Sequence, residues 1–451
     1  MWQPRIKRSA GGKFLGLAAA IEEDIAAGLI AEGERMPPQR GVADALGIDL
    51  TTVTRAYGEA RLRGLLVTRP GRGGTFVAES AEVKAQRAAA SPVDLSLNIP
   101  PQPVRADLAT RIGRAVADVL RAGTFPALQY LPPIGSDTDR AAGAAFLRDA
   151  IGADAGERIG IASGAQAALF AALATAVGPG DRVAAGIVTY PGARAAVDRI
   201  GARMTGLAMD SDGILPDAFA AACRGGRVRA LYVVPTIDNP TTATLPAARR
   251  LAIAGIARQH GVAIIEDDPY RLLAGDAPPT IASLAPELTW HIATLAKCAT
   301  PGLRIAYVVA PDADRLAAFG GVLRATQLMP SPLLAAVAAR WISDGSLNRI
   351  TAALRDEAAA RQSLAARHLA GTAFRAHPLG HHAWLALPAR WTADGFAAAA
   401  ARDGVAVVPA SAFATGADAP NAVRLALGAA VDRTALASGL RRLAARLAAS
   451  P

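Results

Sequence analysis

Val262-Ala263-Ile264-Ile265-Glu266-Asp267-Asp268-Pro269-Tyr270 is a short apolar run that stops in acids, a proline and a tyrosine. Its length and its branched side chains predict a strand over 262–267, with Asp267 at the carboxyl end. Working outward, similar runs stand at Arg182–Ala185, Ala230–Pro235, Ile292–Leu295 and Ile305–Val309, separated by long amphipathic stretches. Such alternation implies right-handed βαβ units and a mostly parallel sheet, with the ligand at the strands' carboxyl ends. From about 345 to 449, alanine- and arginine-rich helices surround a few short strands, which fits a smaller α+β lobe. There is no internal repeat.

Four of the 48 Lys and Arg residues are lysine: Lys7, Lys13, Lys84 and Lys297. Beyond residue 84, Lys297 stands alone in a chain that otherwise uses arginine for positive charge. Arginine replaces lysine in most surface roles but cannot form a Schiff base, because its guanidinium stays protonated. The alternative is a chance surface lysine.

A Schiff-base cofactor such as pyridoxal phosphate (PLP) needs more than a lysine. It needs an acid beside the pyridine nitrogen, donors to the 3′-oxygen and a cradle for the phosphate. Asp267 is placed to hold the ring nitrogen protonated. Tyr270 and Asn239, the latter in Asn239-Pro240 after the strand 230–235, are candidate donors to the 3′-oxygen. Ser163-Gly164-Ala165-Gln166 opens a helix after Ile159–Ala162, and the N–H groups of a helix start form a phosphate site. Arg304 can pair with the same phosphate, and Tyr190, in Thr189-Tyr190-Pro191-Gly192, can stack on the ring. Read singly, each has a plain structural role: a helix cap, a turn, a core tyrosine.

The first 78 residues follow another pattern. Phe14, Leu17, Ile21, Ile25 and Leu29 recur at helical spacing; a short helix is expected from Gln39 to Leu46, a turn at Gly47, and a third helix to about Arg63, capped by Asp49 or Thr51. Its inner face is Val53, Tyr57 and Ala60. Its outer face is Thr51, Thr52, Thr54 and Arg55. Residues 65–68 and 75–77 read as a hairpin with a glycine-rich basic tip at 69–74. Three helices and a hairpin make a winged helix-turn-helix; the alternative is a small helical domain whose polar helix is merely solvated. Residues 79–95 read as a linker.

Composition bounds these readings. The chain of 451 residues is 52% hydrophobic, enough for two or more cores. No apolar run reaches the roughly 18–20 residues of a membrane span. Arg5, Lys7 and Arg8 before Phe14–Ile21 mimic a signal peptide, but Glu22, Glu23 and Asp24 follow at once. Two cysteines, Cys223 and Cys298, give neither a disulfide framework nor a metal-ligand spacing, so a reducing cytoplasm is expected and no metal. The net charge of +10 is spread along the chain; it permits nucleic-acid binding without arguing for it.

Taken together, the motifs resemble two known families. Ser163-Gly-Ala-Gln, Tyr190-Pro-Gly, Asn239-Pro, Glu266-Asp-Asp-Pro-Tyr270 and Lys297 through Pro301-Gly-Leu-Arg304 stand in the order seen in fold-type I aminotransferases, a resemblance covering about 96–449. It implies PLP as cofactor, Arg424 in Asn421-Ala-Val-Arg424 as the clamp for a substrate carboxylate, and Tyr130 as the tyrosine that reaches the phosphate in a partner subunit. Residues 1–78 resemble the GntR winged helix, with Gly33–Arg40 as the turn into its second helix. The combination resembles the MocR/GabR type of regulator. That implies a head-to-tail homodimer binding an operator in double-stranded DNA, and an effector domain (96–451) sensing an amino acid, an amine or PLP itself. By the same match Arg40, Thr51, Thr52, Arg55 and, on the wing, Arg72 contact DNA. Three departures stand out. Leu50 replaces a frequent arginine. Ala296 replaces the serine before the lysine, so that Thr294 is expected to supply the hydroxyl. Gly135–Arg140 differs from the family run. A working aminotransferase carrying an accessory DNA-binding domain is the alternative function.

Overall fold

The computed structural model describes residues 2, 4–6, 12–68, 74–78, 92–123 and 127–449. The wing tip with Arg72 and the expected linker residues 79–91 lie outside them. The chain forms two compact units, Met1–Ser91 and Pro92–Pro451.

In the first unit, helices α1 (Lys13–Ala26), α2 (Gln39–Leu46) and α3 (Leu50–Leu62) precede an antiparallel hairpin of β1 (Leu66–Thr68) and β2 (Thr75–Val77). Leu17, Ile21, Val42, Val53, Tyr57 and Val77 form one core. Gly47 ends α2 in the left-handed region at φ 61, and the Asp49 carboxylate caps α3 by accepting from the Thr51 N–H. The tight link fixes α3 against α2 as a helix-turn-helix requires. One expectation fails. Leu29 does not continue the apolar face of α1, because Gly28 turns left-handed at φ 72 and the Leu29 N–H returns to the Asp24 carbonyl, leaving Leu29 66% exposed and Ile30 buried in its place.

The second unit opens with β3 (Val93–Asp94), which pairs in parallel with a strand of the small lobe, Val405–Ala406. Residues 92–95, read from the sequence as the end of a linker, thus belong to this unit. A two-residue strand has no periodicity to reveal it.

The large lobe is a seven-stranded sheet. In chain order its strands are β4 (Ile159–Ala162), β5 (Arg182–Gly186), β6 (Arg203–Leu207), then, past a small hairpin of β7 (Met209–Asp210) and β8 (Gly213–Ile214), β9 (Val228–Val233), β10 (Ala263–Asp267), β11 (Thr289–Thr294) and β12 (Ala306–Val309). They lie in the order β4-β12-β11-β10-β9-β5-β6, all parallel except β12. Ile264 and Leu231 pack under helices Ala247–His260 and Pro216–Cys223; their chain neighbours Ile265 and Tyr232 pack on the other face under Ala165–Ala176 and Ala313–Gln327. Burial on both faces is why these strands read as unbroken apolar runs. Each such side chain contributes about 1.5–3 kcal/mol. Because β12 returns antiparallel to β11, the turn between them sets Lys297 and Arg304 at the same end of the sheet as Asp267.

The small lobe is an antiparallel sheet of β13 (Phe374–Ala376), β14 (His382–Ala386), β16 (Val408–Pro409) and β17 (Ala422–Ala426), with β15 (Val405–Ala406) beside it pairing β3. Helices Ser346–His368, Ala393–Arg402 and Arg433–Ala448 pack on it around Leu385, Phe396, Leu425 and Leu440.

Candidate cofactor cavity and candidate DNA-reading helix

At the carboxyl ends of β9, β10 and β11, the large lobe, the small lobe and the segment Ser96–Ile99 enclose a cavity of about 540 Å³. Ala165, Gln166, Tyr190, Asn239, Asp267, Tyr270, Thr294, Lys297, Arg304 and Arg424 all line it. Ser163 and Gly164 stand immediately behind its Arg304 corner. Tyr130 does not line it and is 79% exposed.

Lys297 sits on a turn pinned from several sides. Its carbonyl accepts from His381 Nε2 at 2.8 Å, and Thr351 Oγ1 donates to the Cys298 carbonyl at 2.9 Å. Thr294 Oγ1 donates to the Ile305 carbonyl (3.1 Å) and accepts from the Ala296 N–H (3.2 Å). The Thr294 hydroxyl, expected to replace the missing serine, is thus engaged in shaping the turn. Lys297 Nζ donates to the Asn98 carbonyl. Burial, reinforced by the Arg424 guanidinium and opposed by Asp267, lowers the Lys297 ammonium to about 8. The amine is therefore available in its nucleophilic form near neutrality.

Asp267 Oδ2 accepts from Tyr232 Oη at 2.9 Å, whereas its Oδ1 is buried without a partner. Burial pushes this carboxyl up to about 6, against the Tyr232 hydrogen bond and with Asp268 adding to the rise. A buried carboxylate oxygen left open costs about 1–3 kcal/mol, and a protonated ring nitrogen would relieve it.

Arg424, on β17, donates to Asn239 Oδ1 at 2.9 Å and to the Ser96 carbonyl, lies 4.8 Å over the Phe413 ring, and keeps Nε without a partner. Burial lowers its pKa to about 10, so it remains a cation poised for a carboxylate. Asn239 is held in a loop where Ile237 (φ 52) and Thr242 (φ 66) occupy the left-handed region, unusual for branched residues and costing about 1–3 kcal/mol each.

At the other wall, Arg304 Nη2 donates to the Ser163 carbonyl at 3.1 Å. A Cβ on Gly164 (φ +89) would lie 2.9 Å from the Arg304 guanidinium carbon, so glycine is what lets the cation lie against this turn. Gln166 Nε2 donates to the Gly192 carbonyl at 2.9 Å. A Cβ on Gly192 would come within 2.4 Å of the Tyr190 ring, which explains Tyr190-Pro191-Gly192 as a unit. The N–H groups opening helix Ala165–Ala176 and the Arg304 cation together form a cradle for an anion. The lysine, the open acid and this cradle are the donor set that PLP requires. Sequence reading missed Asn98, Tyr232 and Phe413. Tyr232 is hidden in an apolar run, and Asn98 and Phe413 reach the cavity from distant segments.

In the first unit, Arg40, Thr51 and Arg55 are exposed and Thr52 half-buried, opposite the buried Val53 and Tyr57. The Asp49 carboxylate is engaged in its cap, while Thr54 Oγ1 donates to Gln39 Oε1 at 2.8 Å and ties α3 to α2. The Arg55 guanidinium lies 4.2 Å over the Phe14 ring, which presets a side chain that would otherwise be free. Leu50, 40% exposed, opens α3. Among the described residues no helix is long and apolar enough to cross a membrane.

Two family models match: aminotransferase class I and II over residues 90–443, and the gntR family of bacterial regulatory proteins over 15–77. The uncharacterized HTH-type transcriptional regulator YdeF of Bacillus subtilis is 30% identical over 97% of this chain and 95% of its own length. The HTH-type transcriptional regulator TauR of Rhodobacter capsulatus is 28% identical over 96% of each chain. Among solved structures, LysN of Thermus thermophilus, an alpha-aminoadipate aminotransferase complexed with N-(5′-phosphopyridoxyl)-L-leucine, is 26% identical with a TM-score of 0.70, over 82% of this chain and 94% of that one. The chain belongs to the MocR/GabR type of regulator, a GntR-family winged helix followed by a domain of the aminotransferase class I and II family.

Proposed function

We propose that the protein is a cytoplasmic, homodimeric transcriptional regulator that reads operator DNA with α3 and the wing, and holds PLP through Lys297 to sense an amino acid or an amine. The observation that carries this is one cavity gathering an amine lowered to about 8, an acid with an open oxygen and a buried arginine with an open N–H, in a chain whose first unit is a helix-turn-helix. Bound PLP supplies an electron sink conjugated to the effector's amino group. Asp267 would hold the ring nitrogen, with Tyr232 orienting the carboxylate. Tyr270 and Asn239 would face the 3′-oxygen, and Tyr190 the ring. Ser163, Gly164, Ala165, Gln166 and Arg304 would hold the phosphate, completed by Tyr130 from the partner chain, and Arg424 an effector carboxylate. Arg40, Thr51, Thr52, Arg55 and Arg72 would meet DNA.

An effector can shift the operator-binding equilibrium only by its different affinity for two states of the dimer. The test is the visible spectrum of PLP-loaded protein titrated with a panel of amino acids and amines, alongside operator affinity with and without each. A spectral change that alters operator affinity and releases no product is expected. A second reading, a working aminotransferase, is favoured by the lowered Lys297 amine, which suits proton transfer near neutrality. Keto-acid release at ordinary enzyme rates, about 1–1000 per second, would establish that reading instead.

A further inference from the structure

His382, at the start of β14 in the small lobe, is wholly buried, and its Nε2 lies 2.9 Å from the Asp238 carbonyl. A carbonyl only accepts, so Nε2 carries the hydrogen. A neutral imidazole has one N–H, and burial with Arg424 nearby holds this ring neutral, with a pKa of about 3. Nδ1 is therefore a bare acceptor. The Asn98 amide nitrogen lies 3.4 Å from that Nδ1 and 2.8 Å from Tyr270 Oη. Turning the amide over would set Asn98 Oδ1 against the Nδ1 lone pair. The orientation is thus determined by its neighbours, and it leaves Asn98 Oδ1 buried without a partner, as expected of an amide oriented by its donor side.

The consequence falls on Tyr270. Its oxygen accepts from Asn98, and burial raises its pKa so that it keeps its own hydrogen. That hydrogen cannot go to Asn98 and has no other acceptor in hydrogen-bond reach among the described residues. Tyr270 lines the cavity. The charged and titratable groups around the three are Lys297, Arg424, His381, Asp238 and Asp267; none of them accepts from Tyr270. We infer that Asn98 and His382 are positioning residues that make Tyr270 a one-way donor into the cavity, aimed at the 3′-oxygen of the ring. The inference rests on the proposed PLP site for its target, but not for the orientation of the three side chains. It joins three separate parts of the fold: the Asp238 loop after β9, the small lobe through β14, and the entry segment 96–99.

A donor held on the 3′-oxygen stabilises its anion, so the chromophore formed at Lys297 should lose its proton more readily. Two measurements test this. First, nitrogen NMR of the full chain without cofactor should show His382 protonated at Nε2 and bare at Nδ1. The opposite tautomer would overturn the inference whatever the cofactor result. Second, the absorbance pKa of the PLP-loaded protein should rise by about one unit in Asn98→Ala and by about one to two units in Tyr270→Phe, the span expected for one hydrogen bond to a charged acceptor. The double variant should match Tyr270→Phe alone, because Asn98 acts only through that hydroxyl. Additive shifts, or an unchanged pKa in Asn98→Ala, would sink it. A chain that forms no borohydride-fixed PLP adduct at all would bring down the proposed cofactor, and with it the aim at the 3′-oxygen, while the tautomer would still report on the orientation.

Discussion

The outer face of α3 and the cavity of the large lobe recruit their candidate residues by opposite rules. On α3 the core takes Val53, Tyr57 and Ala60, and Thr51 and Arg55 are what packing leaves over in solvent. In the cavity Asp267 and Arg424 are buried, and what marks both is an unfinished hydrogen bond, at Oδ1 and at Nε. A surface reader can lose a side chain with little effect on folding. A buried site is built at a cost to stability that its ligand removes.

The largest effect that could break this contrast is at Lys297. Lys297→Ala should abolish the borohydride-fixed PLP adduct entirely while the first unit remains folded, as judged by its own hydrogen exchange. A residual adduct would displace the assignment.

Next comes Asp267, whose carboxyl stands at about 6 in the folded chain against an ordinary 3.8, through burial. The folded state then binds its proton more tightly than the unfolded state. The contribution of Asp267 to the stability of cofactor-free protein should fall as pH rises from about 4 through 6, by roughly 2–3 kcal/mol for a shift of this size. Asp267→Asn should remove that share of the slope and leave the part due to Asp238, also raised to about 6 by burial. Denaturant unfolding at pH 4 and 7 measures both. An unaltered slope would mean that Asp267 is not held at a loss.

Arg424→Ala should weaken the spectral response to amino acids by about 1.5–3 kcal/mol, roughly 10–150-fold, and leave the response to simple amines. Equal losses for both would show that Arg424 supports the cavity rather than reading a carboxylate. The smallest effect is at Arg55. Arg55→Ala should lower operator affinity several-fold and, for a phosphate contact, reduce the salt slope by about one unit. Its stacking on Phe14 contributes only about 0.5–1 kcal/mol to the fold, so a large loss of stability would contradict the leftover-residue rule.

What can be read from the sequence follows from the same physics. Strands covered on both faces, such as β9 and β10, announce themselves as apolar runs, and residues at their ends carry visible chemistry, as Asp267 and Asn239 do. The limits of α2 and the cap at Asp49 are legible because glycine and aspartate have strong local roles. Leu29 departs from its expected place because one left-handed glycine overrides the helical period. β3 is too short to have a period. The Thr294 hydroxyl spends its hydrogen on the Ile305 carbonyl and accepts from the Ala296 N–H, a use in the turn before Lys297 that the sequence does not reveal. Tyr232, Phe413 and Asn98 matter through contacts between segments far apart in sequence, and no local pattern encodes those.

The segment Ser96–Ile99 gives the cavity a resident competitor. Its backbone carbonyls at Ser96 and Asn98 take the Arg424 guanidinium and the Lys297 amine, the two groups that a carboxylate and an aldehyde would engage. Any occupant must take these partners from the chain itself. Affinity measured for any ligand is therefore a net exchange, weaker than the contacts alone would suggest.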